Sequence, residues 1–75
     1  MAPKQLQQLI KMAEQIALNL GAGHDDATAA HRTGVHIRHF WTPAMRRQLG
    51  TFRDGGGKVS PIVAAALAAG DDLSQ

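Results

Sequence analysis

From Val59 to Gly70 the chain carries no charged side chain, and Ile62, Val63, Ala64, Ala65, Ala66, Leu67, Ala68 and Ala69 set apolar groups at every angle around a helix axis. A helix that is apolar on every side is normally buried on every side. The run is too short to cross a bilayer, which takes about 20 residues, so protein has to cover it. In 75 residues there is room for one small domain, and the three short helices left over cannot enclose a fourth. We therefore expect an external protein surface to complete the burial. The competing reading is that part of an Ala-rich face stands in water, which costs little because methyl groups are small.

The rest of the composition sharpens this shortage. Thirteen residues are Ala, so few large side chains remain to build a core, and there is no Cys. Disulfides, cysteine-ligated zinc, iron–sulfur ligation and a thiol nucleophile are excluded together. The start, Met1-Ala2-Pro3-Lys4-Gln5, leads into a Gln-rich amphipathic stretch with no apolar signal core, from which a cytoplasmic protein is expected. A sequence pI of 9.7 reflects a surplus of only two positive charges, a weak pointer to nucleic acid.

Helical periodicity dominates and no segment alternates with the period of a strand. A first helix is expected from Pro3 to Leu20, with Leu6, Leu9, Ile10, Ala13, Ile16, Ala17 and Leu20 on one face, Leu18 stranded among polar residues, and Gly21 and Gly23 ending it. A second helix is expected from Asp25 or Asp26, as N-terminal cap, to Trp41. Its stripe of Ala27, Ala30, Gly34, Ile37 and Trp41 begins small and ends large, a groove for a close neighbour, which we expect to be the first helix. Thr42-Pro43 starts a third helix with Met45, Leu49 and Phe52 as its apolar edge and Arg46, Arg47 and Arg53 projecting elsewhere. Gly55-Gly56-Gly57 reads as a flexible connection. Ser60-Pro61 starts the last helix, ending near Gly70. The expected architecture is an all-α bundle of three to four short helices, one domain over residues 1–70 completed by packing on a partner, with a flexible tail at 71–75.

Candidate chemistry is sparse. Of the four histidines, His24 and His31 lie near one helical angle, His36 falls about 140° away with His39 between, and only His36 and His39 pair. No carboxylate or Cys stands next to that pair in sequence, so no metal site is expected. Gly55-Gly56-Gly57-Lys58-Val59-Ser60 imitates a phosphate-binding loop, but Val59 stands where Ser or Thr should follow the Lys, and no strand precedes it. Ser60, Ser74 and the carboxylates form no dyad. Arg32, Arg38, Arg46, Arg47 and Arg53 could meet phosphates, yet the helix after Thr42-Pro43 opens with Ala44 and Met45, poor readers of base edges, and Arg suits carboxylates on a protein partner equally well.

Three segments carry a resemblance: Leu6 to Ala17, Gly23-His24-Asp25, and above all His36-Ile37-x-x-Phe40-Trp41-x-Pro43-x-Met45-Arg46 continuing to Leu49, with Ser60-Pro61-Ile62-Val63 and Ala66-Leu67 after the Gly-rich link. Together they resemble the small delta subunit of NAD-dependent, molybdenum-containing formate dehydrogenases. Thr42 departs from the pattern, standing where an acidic residue is expected before the proline, which keeps the capping role and loses a charge. The resemblance implies a cytoplasmic multisubunit enzyme that oxidises formate to carbon dioxide and reduces NAD. In such complexes the alpha subunit holds molybdenum bis-guanine-dinucleotide and iron–sulfur clusters, and the beta and gamma subunits carry FMN and further clusters. The delta subunit is noncatalytic and tied to assembly or stability of the complex, and to cofactor insertion.

The expectation that follows is a small helical subunit without catalytic, cofactor-binding or metal-binding residues of its own. Its foremost partner would be the alpha subunit, with beta and gamma in the same complex and no membrane contact. The expected interface is Phe40, Trp41, Met45, Arg46, Arg47, Ile62, Val63 and Leu67, since Trp and Arg are enriched at binding hot spots. Trp41 could equally belong to the internal core. The alternative is a small basic helical protein that binds nucleic acid or acts as an independent adaptor.

Overall fold

A computed structural model of the chain describes the backbone of residues 4–73 and the side chains of residues 4–68. Four helices follow in order, α1 (Lys4–Gly21), α2 (Asp26–Phe40), α3 (Pro43–Asp54) and α4 (Pro61–Leu73), with no strand among the described residues. Their starts are where capping chemistry puts them. Asp25 accepts the Thr28 backbone N–H on Oδ1 at 2.8 Å, Thr42 accepts that of Met45 on Oγ1 at 3.2 Å, and Ser60 accepts that of Val63 on Oγ at 3.2 Å. Pro43 and Pro61 each open the helix that follows. Pro3, expected to open α1, lies outside the described residues. At the other end α4 continues to Leu73, past the expected stop at Gly70.

The loop ends are equally local. Gly23 takes φ +79° just after α1, a conformation glycine adopts without steric cost. At the end of α3 the Gly57 N–H donates to Phe52 O at 2.9 Å and the Gly56 N–H to Arg53 O at 3.0 Å, with Gly56 at φ +91°. This is a Schellman closure, so the glycine run expected as a flexible connection is a built helix terminus.

On α1, Leu6, Leu9, Ala13 and Ala17 are buried, Ile10 and Ile16 pack against the core edge, and Leu18 is 69% exposed. The buried arc of α2 is wider than a single stripe. Ala29 and Thr33 join Ala30, Gly34, Ile37 and Trp41 inside, while Ala27 is exposed. The reason is that α2 is gripped from two sides, by α1 and by α4. Thr33 brings its own solution for burial, donating from Oγ1 to Ala29 O at 2.7 Å.

Gly34 does serve a close approach, but α4 is the neighbour. A Cβ at Gly34 would stand 3.0 Å from Ala66 O, whereas the close point between α1 and α2 is Gly21, where a Cβ would come within 2.8 Å of that of Ala29. The expectation that α1 fills the Gly34 groove is therefore corrected. Small residues along both helices make α2–α4 the most extensive helix–helix contact in the molecule.

This contact also resolves where α4 hides. Val63, Ala66 and Leu67 are buried, at spacings of three and four, Ile62 and Ala64 are half-buried, and Pro61, Ala65 and Ala68 face solvent. Within this chain one face of α4 is thus buried against the other helices, which cover more of it than its sequence suggests, while alanine methyls and Pro61 remain exposed. The core gathers Leu6, Leu9, Ala13, Ala17, Ile37, Trp41, Leu49, Val63 and Leu67. Polar ties between distant residues also close it. Arg32 of α2 donates from Nε to Leu20 O near the end of α1 at 3.0 Å. Glu14 accepts the Ser60 N–H at 2.7 Å, joining α1 to the start of α4, and Arg53 donates from Nη1 to Ala64 O at 3.4 Å while pairing with Asp54 at 2.8 Å. Arg53 is thus turned inward, not projecting as expected. A radius of gyration of 11.3 Å is that of a self-contained domain of this length, about 11 Å by size scaling.

Candidate functional site

The sequence-predicted interface residues divide. Trp41, Val63 and Leu67 are buried at 5%, 0% and 5% exposure and belong to the internal core. In the chain by itself these side chains are covered by one another and by the rest of the core. Ile62 is half-buried against the same core. Phe40 stays outside at 74% exposure, Met45 and Arg46 are half-buried, and Arg47 is exposed.

Phe40 and Met45 meet in a broad groove of about 780 Å³ between α1 and the α2–α3 elbow. Helix geometry builds it. Trp41 ends α2, its backbone N–H donating to Ile37 O, and the Thr42-Pro43 turn restarts the chain as α3, so Phe40 and Met45 flank a sharp bend over the indole. Opposite them, Gln8, Met12, Gln15 and Asn19 follow at spacings of four, three and four and form one wall along α1. Ile16 and Trp41 also line it, and Met12 is 44% exposed within it. Lys11 and His36 also line the groove, and no carboxylate does. The His36 ring leans on Phe40 with centroids 4.6 Å apart at 35°, which holds the phenyl ring in place although it is exposed.

The α1 wall was not legible as functional. Its one signal is Met12, an apolar side chain on a face otherwise made of Gln, Asn and Lys, which the periodicity assigns to solvent. The arginines adjoining Met45 do not converge on the groove lining. Arg47 lines a separate, smaller hollow with Leu6, Ala44, Gln48, Thr51 and Phe52. Arg46 buries its Nε without a hydrogen-bond partner.

Among the described residues no group of three or more His, Cys, Asp or Glu is placed to hold a metal ion. The phosphate-loop imitation at Gly55 to Ser60 is occupied with helix termini, since the glycine amides are bonded to α3 carbonyls and the Ser60 N–H to Glu14. Asp25 is committed to its cap, where hydrogen bonds from the Thr28 side chain and backbone hold its carboxyl below the ordinary value. No helix among the described residues is long and apolar enough to cross a membrane.

Neither the curated proteins nor the solved structures contain a match to this chain. The family profile described as NADH-dependent formate dehydrogenase delta subunit FdsD matches residues 8–67, which takes in the α1 wall, the Phe40–Met45 elbow and the buried face of α4. The chain therefore belongs to the family of formate dehydrogenase delta subunits.

Proposed function

We propose that this chain is a noncatalytic subunit supporting assembly and stability of a cytoplasmic, NAD-dependent, molybdenum-containing formate dehydrogenase, and that it aids insertion of the molybdenum cofactor. The observation that carries the reading is family membership over residues 8–67, since a delta subunit implies a multisubunit complex around it. The exposed Phe40 ring beside Met12 and Met45 supports a role exercised by contact, because Phe and Met side chains left in water on a small domain mark an interaction surface. In this reading the alpha subunit is the partner, and molybdenum bis-guanine-dinucleotide, iron–sulfur clusters, FMN and NAD all reside in other subunits. The docking surface is Phe40 and Met45 with the α1 wall, flanked by Arg46 and Arg47.

The test is to produce the complex in its own cells with and without this chain, then measure assembled complex, molybdenum per alpha subunit and formate-dependent NADH formation. We expect all three to fall without the chain and to recover when it is supplied again. Full yield, full molybdenum content and full activity in its absence would overturn the proposal.

A further inference from the structure

The groove and the α2 surface next to it share one ridge, His36 and Phe40. On the far side of that ridge lie His31, Arg32, Val35 and His39 with Leu20. Lys11 and Arg32 are the permanent charges of this continuous surface, three histidines add positive charge when protonated, and no carboxylate lines either hollow. No side chain that lines either hollow can carry negative charge.

We infer that this surface receives an amphipathic helix of a partner subunit that carries acidic residues along one flank. The inference rests on the reading of the chain as a subunit of the complex, and deepens it by naming the chemistry of the segment bound. The wall from Gln8 to Asn19 follows eleven steps of helix, about 16 Å at 1.5 Å per residue, room for some three turns of a docked helix. Apolar side chains of that helix, three and four apart, would lie over Met12, Ile16, Phe40, Trp41 and Met45, and methionine side chains adapt to such a partner readily. The uniform sign of the rim selects acidic flanks and disfavours a second copy of this chain, whose own rim would meet it with like charge.

The experiment uses the tagged chain co-purified from its own cells, with Phe40 replaced by p-benzoylphenylalanine for photo-crosslinking in the assembled state. The expected crosslink falls in a helical segment of another formate dehydrogenase subunit with an excess of Asp and Glu. In parallel, Phe40→Ser and Lys11→Glu, both at exposed positions, should lower recovery of the complex roughly tenfold or more. Leu18→Glu, at an exposed position outside the groove, should leave it unchanged. Absence of formate dehydrogenase subunits from the native eluate would overturn the subunit reading and the inference built on it. Their presence, with a crosslink to a basic segment, an extended loop, a second copy or nucleic acid, would overturn the inference alone. So would undiminished recovery of the Phe40→Ser and Lys11→Glu variants.

Discussion

Gly34 sits where α2 and α4 come closest, and the atom it faces is a backbone carbonyl that cannot swing aside. A Cβ there would be 3.0 Å from Ala66 O and 3.6 Å from Ala66 Cα. Gly34→Val should therefore push α4 off its seat and cost roughly 1–3 kcal/mol, read as a lower urea midpoint. Gly34→Ala should cost less than Gly34→Val, since the gain of about 1 kcal/mol in helix propensity offsets part of the cost of moving α4 back from the methyl. Gly56 is constrained by its own backbone instead. At φ +91° an alanine would be strained wherever its methyl points, so Gly56→Ala should cost about 1–2 kcal/mol although nothing crowds the position. The two glycines thus differ in cause. Gly56 could be read from its place just past a helix, whereas the role of Gly34 depended on knowing which helix arrives.

Helix starts in this chain depend on single side chains. Thr42 is the cap of α3, and Thr42→Ala should cost about 1 kcal/mol. Thr42→Asp, whose carboxylate can accept the same backbone N–H, should retain the cap, and thermal melts of the two variants separate the outcomes. At Asp25 the effect depends on pH. Its carboxyl is held below the ordinary value of 3.8 by the Thr28 hydrogen bonds, so the unfolded state takes up its proton first as pH falls. The cap's contribution is full above the unfolded value and disappears as pH drops through the lowered folded value. The melting temperatures of the native chain and Asp25→Ala should therefore differ at pH 7 and converge in acid. A constant difference across that range would refute the charge-assisted cap.

The molecule as a whole is closed by a few non-local contacts. Glu14→Ala removes the acceptor for the half-buried Ser60 N–H and should cost about 1–3 kcal/mol, while Glu14→Gln, which keeps an acceptor oxygen, should lose less. Leu67 decides between two pictures of α4. Were α4 covered by a partner, Leu67→Asp would leave the free chain folded and abolish assembly. With Leu67 inside the chain's own core, the substitution buries an unpaired carboxylate and a poorly filled space, and should cost roughly 3 kcal/mol or more. Loss of the cooperative helical transition by circular dichroism is the expected result. Interface tests belong instead on Phe40, Met12 and Lys11, where a change leaves the core untouched.

What could be read in the residues alone is what short-range forces decide. The Asp25, Thr42 and Ser60 caps, Pro43 and Pro61 at helix starts, Gly23 and the α1 face follow from hydrogen bonds and sterics within a few residues, and the His36 to Arg46 block carried the resemblance to the family. What only the tertiary structure decided is which surfaces meet. An Ala-rich helix has no strong preference of face, because its methyls are small and nearly equivalent, so the sequence of α4 could not say that α2 would cover Val63 and Leu67. The same arrangement left Phe40 outside the core at 74% exposure, because the helices that pack on α2 cover its other faces, and the proposed contact is built on that exposed ring.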